Sequence, residues 1–514
     1  MPPQTSPYHR LASRRAALVV IFGLYALTLW RTAWLSDDAY LSFRAADNLV
    51  HGFGPRWNVV ERVQVFSNPL WTFVMAGVYA LTREMWATAL VFSAGVSLAV
   101  YGLVARRWRT WSVVPGLALL LVSRAFVDFS TSGLENPLLH LLLVAHLSAF
   151  VVTEDPRRRA AWVAWTAGLL GATRDDALLL VVPTTFVALR ALPRKQALRT
   201  GATGLSPYLA WKFIALVYYG FPFPNTAYAK LEAGIPSEAL ARQGLHYFAN
   251  AIRWDPVTLL GIAAGLVVGA RSRTPWMRAA AVGIGLYLLY LVRIGGDFMS
   301  ARFFAAPLVL AVLVAMQRTA ALRPRTAIVA TVLLLAYGLA FARSPLRTGK
   351  DYRVHILHEV LTDAHGVTDE RAHWHRFTNP ACRTPGSSMP SYAGATWGRE
   401  QRASGAAGVV RINVVGMRAF YAGPRLHLIE GFGLEDPLLA RLPIPRGAAW
   451  RIGHFARPIP AGYLESLLAP ASGIEDPALR AYDEELRRVT RGPLFDAERW
   501  RAIVRLNLVQ RTAE

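Results

Sequence analysis

Long apolar stretches separated by short basic connections run along the chain to about residue 342, after which apolar and polar positions mix. Stretches near the length of a bilayer crossing fall at roughly 15–35, 86–105, 111–127, 134–152, 160–173, 175–192, 201–220, 256–270, 277–294, 302–318 and 324–342. About 20 residues are usually needed to cross, so 160–173 and 175–192 are short. Pro69–Leu81 is apolar for only about a dozen residues, which fits an interfacial or re-entrant helix. The pattern predicts a polytopic α-helical membrane protein of about 11 transmembrane helices over residues 1–342. A water-soluble, mixed α/β domain is expected over 343–514.

Charge parity orients these spans. With a cytoplasmic N-terminus, the inner connections hold Arg106, Arg107 and Arg109, then Arg157–Arg159, Arg190 to Arg199, Arg271 to Arg278, and Arg318 to Arg325. Every one is basic, as inward-facing loops are. Fusing 160–192 into one span, or adding Pro69–Leu81 as another, would move several Arg clusters outside. The C-terminal domain is thereby expected outside the cytoplasm. The charged start (Arg10, Arg14, Arg15) precedes an apolar run without a convincing small-residue cleavage site, which reads as an uncleaved signal-anchor helix.

Composition narrows the partners. The formal net charge is +23, but the basic residues sit in clusters between apolar spans, so anionic lipid is the expected neighbour and nucleic acid is not. Hydrophobic residues make up 54% of the chain and mean hydropathy is +0.29, high for a soluble protein. A single cysteine, Cys382, excludes an intramolecular disulfide framework.

Parity also sorts the distinctive polar segments onto one face: SDDAY, STSGLEN, TRDD, FPFPNTAYAK and GGDFMSARFF. One outward-facing site built from several loops is the economical expectation. The loop Ser36–Asn68 opens with Asp37 and Asp38 directly after an apolar span and also carries Arg44, His51, Asn58, Glu61, Arg62 and Asn68. Acids at a bilayer lip usually serve a site, although a solvated helix end would also place them there. Adjacent carboxylates point differently. One could act as general base on an acceptor hydroxyl while the other orients it, binds a divalent cation or holds an Arg. Spacing leaves open which does which.

Arg174, Asp175 and Asp176 interrupt an apolar region of about 30 residues, either as a functional group or as an internal ion pair. FPFPNTAYAK ends a span with two prolines and presents Asn225, Tyr228 and Lys230. GGDFMSAR turns on two glycines and offers Asp297 and Arg302. Arg174, Lys230 and Arg302 suit an anionic donor group such as a phosphate, with snorkelling anchors as the alternative. His373 and His375 could contact a metal but read better as a surface pair. Glu430, Glu435 and Asp436 could touch a sugar but read better as helix caps. P-loop, Rossmann, HExxH and Cys-based zinc patterns are lacking, and no required cofactor is legible.

The loop DDAY-x-SFR-x₃-NL-x₂-G-x-G-x₂-WN-x₂-ERVQ-x₂-SNPLW resembles the first extracytoplasmic loop of GT-C-class polytopic glycosyltransferases. It is most similar to the mycobacterial-type terminal arabinofuranosyltransferases (the AftB type). TSGLENPL, TRDDALLL, PNTAYAK, GGDFMSARFF, GLEDPLLARLP and RIGHFARPIP continue the likeness over most of the chain. TRDD departs from it, because many relatives have Pro-Asp or Pro-Glu there, so the separate roles of Asp175 and Asp176 do not carry over.

The resemblance implies a multi-pass enzyme of a bacterial plasma membrane. Such an enzyme would move a sugar, D-arabinofuranose by the likeness, from a polyprenyl-phosphate carrier to an extracytoplasmic cell-wall glycan. It maps the acidic motif onto Asp37 and Asp38. Arg44, His51, Asn68, Arg174, Asp175, Asp176, Asn225, Tyr228, Lys230, Asp297 and Arg302 are carried over as residues lining the donor or acceptor site. A single base with direct displacement would invert the anomeric centre, whereas the family's β-linked donor and product imply retention. A pilin or other protein acceptor, or another polysaccharide, is the alternative on the same scaffold. A flippase for lipid-linked sugars would instead need mid-membrane polar groups and inverted hydropathy repeats, and no repeat is evident.

Overall fold

The computed structural model describes residues 7–352, 361–445 and 447–509, with side chains from Ser13 onward, so the Arg10 side chain lies outside the described residues. The chain forms two compact units, each assembled from separated segments. Residues 1–35, 89–207 and 242–383 make the first, and 36–88, 208–241 and 384–514 the second. This grouping cuts across the hydropathy boundary at 342. Residues 343–383 pack with the first unit's helices, and the loop after Leu35 belongs with the C-terminal residues.

All eleven apolar stretches are helical over most of their length. Taken alone, three helices among the described residues are long and apolar enough to cross a membrane: Ser13–Thr32, Met85–Arg107 and Pro275–Ile294. Ser237–Trp254 and Pro256–Ala270 pass together, bent by 110°. Pro324–Ala340 and Ala177–Leu189 are apolar but shorter. The expected span 111–127 is two helices, Val113–Val122 and Arg124–Asp128. Ser123 breaks it by turning extended and accepting the Phe126 amide on its hydroxyl, an N-cap for the second piece. Pro69–Thr82 is a 14-residue helix, short as expected.

In the first unit, Ala305–Arg318 is buried along almost its whole length. Small residues bring its neighbour close: Gly261, Gly265 and Gly269 recur every fourth position on Pro256–Ala270. A Cβ at Gly265 would overlap Ala311, so the two backbones meet as they do in small-residue membrane interfaces. A network of buried ion pairs lies here, while the buried Asp255 carboxyl instead accepts the Ala125 amide and the Thr258 hydroxyl. Arg124 holds Asp369 at 2.7 Å and Asp128 at 3.1 Å, Arg371 reaches Asp128 at 2.7 Å, and Arg343 reaches Asp369 at 2.8 Å.

The second unit packs Trp57, Phe66, Trp211, Tyr219 and Leu428 in one apolar cluster and Phe221, Leu438, Tyr463, Leu486 and Ile503 in another. A two-stranded parallel sheet pairs β1 (Gly408–Arg411) with β2 (Leu426–Ile429), Gly408 opposite Leu426. Arg44 ties the first loop into this unit. Its guanidinium donates to the carbonyls of Trp57 (3.0 Å), Gly423 (3.0 Å), Leu426 (3.0 Å) and Ala419, over the Trp57 ring.

Gly265→Val should wedge the helices apart and cost about 1–3 kcal/mol, the range for overpacked cores. Thermal unfolding of the purified protein in detergent reads this as a lowered midpoint, and an unchanged midpoint would mean the helices are not in close contact.

Candidate functional site

The two adjacent acids have different surroundings. Asp37 is 7% exposed, and its carboxylate accepts the amides of Gly416 and Met417, both at 2.8 Å. Those amides open the helix Gly416–Ala422, so Asp37 supplies from a distant segment the cap that this helix lacks locally. Residue 416 must be glycine, because a Cβ there would overlap the Asp37 carbonyl. Burial is the strongest influence on the Asp37 carboxyl and raises it, the net of all its surroundings being a value of about 6. The two backbone donors and Arg418 pull it down, and neighbouring Asp38 pushes it further up. Asp38 is half-buried at the start of Ala39–Val50 and makes no cap hydrogen bond there. Among the described residues it also enters no ion pair. One carboxylate is anchored, and its neighbour is available.

Around them the rest of the first loop is structural in its contacts. Asn68 accepts the Ser42 and Thr72 hydroxyls on its side-chain oxygen, both at 2.9 Å. His51 lies against Asp47, whose carboxylate accepts the Tyr79 hydroxyl at 2.7 Å. Arg44 is buried on backbone carbonyls, so its contacts hold the chain in place.

In the first unit, Arg174, Asp176, Asp297 and Arg302 come together around Glu135, which is fully buried. Arg174 grips Asp176 with two bonds of 2.8 and 2.6 Å and donates to Glu135 at 2.7 Å. Arg302 donates to the same Glu135 oxygen at 3.1 Å and lies 3.6 Å from Asp297. Both guanidinium groups stand over the Phe303 ring, 4.9 and 5.6 Å away. The internal ion pair and the functional cluster were alternatives for TRDD. The ion pair is present, with Asp176 as its acid, while Asp175 is half-buried beside it.

Asn225 starts the helix Asn225–Leu231 and is fully engaged in structure: its amide donates to the carbonyls of Gly433, Leu434 and Asp436 at 3.0–3.1 Å. Its oxygen accepts from Arg441 at 3.2 Å. Tyr228 covers the Arg441 guanidinium at 4.3 Å, and Lys230 is half-buried at the end of the same helix. Asp436 caps the turn before Leu439–Arg441, accepting the amides of Leu438 and Leu439 as the cap reading expected, whereas Glu430 accepts the amides of Phe432 and Leu434 and Glu435 that of Glu430, within the preceding turn. His375 departs from the surface-pair expectation. It is 2% exposed and its Nε2 meets the Arg31 carbonyl at 3.0 Å. Among the described residues no group of three or more His, Cys, Asp or Glu is arranged to hold a metal ion.

No family model matches the chain. Over 341 residues it is 29% identical to the terminal β-(1→2)-arabinofuranosyltransferase of Mycobacterium tuberculosis, covering 57% of this chain and 53% of that protein. Over 328 residues it is 28% identical to the enzyme of the same name from Corynebacterium glutamicum, covering 54% and 47%. The chain resembles terminal arabinofuranosyltransferases. It spans about half the length of these relatives. Solved structures that overlay loosely include ArnT from Cupriavidus metallidurans bound to undecaprenyl phosphate, at TM-score 0.47 and 12% identity, covering 82% of this chain and 86% of that one. The Archaeoglobus fulgidus oligosaccharyltransferase overlays at TM-score 0.40 and 13% identity, covering 80% and 62%.

Two groups at these sites were not singled out from sequence alongside the arabinofuranosyltransferase likeness. Glu135 lies inside the quoted TSGLENPL segment, yet its partners are 39 and 167 residues away. Gly416 and Met417 lie 379 and 380 residues from Asp37 and belong to no recognised motif.

Glu135→Ala leaves two guanidinium groups short of a carboxylate, and breaking a buried pair costs about 3–5 kcal/mol. Because each arginine is slightly exposed and keeps a second acid, the lower end is expected, read as a drop in unfolding midpoint. Asp37 predicts a pH signature. Its carboxyl binds a proton more tightly folded (about 6) than unfolded (near 4), so its contribution is most favourable below pH 4 and is lost as pH rises through 6. The stability of wild type relative to Asp37→Asn should therefore fall from pH 4 to pH 7, by up to about 3 kcal/mol. A difference independent of pH would place the Asp37 carboxyl at its ordinary value.

Proposed function

We propose that the chain is an integral membrane glycosyltransferase that transfers D-arabinofuranose from a polyprenyl-phosphate donor to an extracytoplasmic cell-wall glycan. The likeness to terminal arabinofuranosyltransferases supports the class and the sugar. The division of labour between Asp37 and Asp38 is the observation that carries the chemistry. Forming a glycosidic bond requires a group to take the acceptor hydroxyl's proton, whichever stereochemical course the displacement takes. Asp38 is accessible and unengaged, so we assign it that proton. Asp37 is a positioning residue: pinned to Gly416 and Met417, it fixes the start of Ala39–Val50 and with it the Asp38 backbone.

The remaining requirements are physical. A lipid-linked donor keeps its phosphate at headgroup depth, where a guanidinium can meet it, and Arg174 and Arg302 are the candidates. The apolar helix Pro69–Thr82 suits a lipid-facing groove wall. Asp175, Lys230 and Tyr228 remain site-lining candidates, while the contacts of Arg44, Asn68 and Asn225 suit them to holding the loops that carry the site.

Membranes containing the protein, supplied with polyprenyl-phosphoryl-arabinose and a defined arabinan, should extend the arabinan. Asp38→Asn should lower turnover by at least ~100-fold, the usual contribution of a positioned base, with an unchanged unfolding midpoint. Asp37→Asn should lower both, because Gly416 and Met417 each donate to a different carboxylate oxygen and one of them would then face the amide NH2. Full activity in Asp38→Asn would overturn the assignment. Transfer from a different lipid-linked sugar, with none from the arabinose donor, would overturn the sugar and keep the class.

A further inference from the structure

A cleft in the second unit lies beside FPFPNTAYAK; its empty space of about 240 Å³ includes open solvent, and the cleft as a whole has room for about one water-sized group. Four aromatic rings wall it: Tyr219, Phe221, Phe223 and Tyr228. Gln64 and Arg441 close it from opposite chemical sides. Gln64 is 3% exposed; its amide nitrogen donates to the Phe66 carbonyl at 3.0 Å, which fixes the other atom as oxygen, and that Oε1 has no partner among the described residues. Arg441 is 1% exposed and held between Phe221 and Tyr228 at 4.1 and 4.3 Å. Its Nη1 serves the Asn225 oxygen and the Pro437 carbonyl, whereas its Nη2 is buried with no partner among the described residues.

Buried polar atoms are almost always paired, and leaving an acceptor and a charged donor unpaired among the residues that line one cleft is costly. A group that donates and accepts at once, such as a hydroxyl, satisfies both. Flat apolar faces beside it favour a ligand with C–H surface next to its hydroxyls. Phe223 is 48% exposed, and the Lys212 ammonium lies 4.5 Å from its ring centre, so a ligand would share the ring with that cation. A water would satisfy the polar atoms but would leave the aromatic mouth without a role.

We infer that this cleft is a sugar subsite, in which one hydroxyl of a glycan bridges Gln64 Oε1 and Arg441 Nη2 while the adjoining ring stacks on Phe223. The inference rests on the proposed transferase reading for the identity of the sugar, and it assigns the cleft to the acceptor glycan. The donor sugar has the same hydroxyl chemistry, so the test separates the two.

The full-length protein in detergent is titrated with a short, lipid-free arabinan oligosaccharide, without donor, and binding is followed by saturation-transfer NMR. Wild type and Asp38→Asn should bind alike. Phe223→Ala, a surface change that leaves the core intact, should weaken binding ~5-fold, within the range for an aromatic contact. Gln64→Met keeps the volume and removes the acceptor together with the donor to the Phe66 carbonyl, and with an unchanged unfolding midpoint should weaken binding ~10-fold. In the transfer assay both variants should raise the half-saturating acceptor concentration and leave that of the donor unmoved. Binding unaffected by either substitution would overturn the subsite and leave the cleft to a water. A rise in the donor's half-saturating concentration instead would overturn the acceptor assignment. Arabinan binding at the cleft in a protein that transfers no arabinose would remove the proposed reaction while leaving the subsite standing.

Discussion

A carboxylate buried without a cation against it must find its hydrogen bonds in the backbone, and Asp37 finds them at Gly416 and Met417. Much of the second unit depends on that contact. It joins the first loop to a helix nearly 380 residues later, demands glycine at 416, and leaves the next acid, Asp38, uninvolved. Arg44 works in the same direction about two helical turns further on, filling the carbonyls at the other end of Gly416–Ala422. An acid on the amides and an arginine on the carbonyls match the two ends of a helix dipole, so each charge is buried where the backbone already favours it. The helix between them is only seven residues long and would not hold alone.

The hydrophobic pattern made the helices legible because apolar length is a local property. The break at Ser123 was not legible: nothing in an apolar run announces that a serine will turn extended and cap a second helix. The acidic motif was legible as a motif, but the roles of its two acids were not. Asp37 and Asp38 differ only in their surroundings, and the groups against Asp37 are remote in sequence. Glu135 was missed for the same reason. Asn225 and Arg44 were legible as motif residues, but the carbonyls that take their hydrogen bonds, up to 382 residues away, were not.

The recognised motifs therefore divide by the chemistry of their partners. Asn225, Asn68 and Arg44 are engaged by groups of their own unit, contacts that by themselves call for those residue types. Asp38, Gln64 and Arg441 carry capacity left over. Unused hydrogen-bonding capacity next to engaged neighbours is the feature on which the proposed roles of these three groups rest.

The arginines of the first unit fit neither class simply. Arg174 and Arg302 carry two positive charges against the three negative charges of Glu135, Asp176 and Asp297. A donor phosphate reaching them would meet guanidinium groups already compensated, and adding an anion to that balance is unfavourable unless a carboxylate gives way. The bidentate Arg174–Asp176 pair and the shared Glu135 are the tightest contacts and the least exchangeable. Asp297, at 3.6 Å from Arg302, is the loosest. If these arginines grip the donor, the phosphate takes the place of Asp297 on Arg302, and Glu135 keeps both guanidinium groups aligned while it does so.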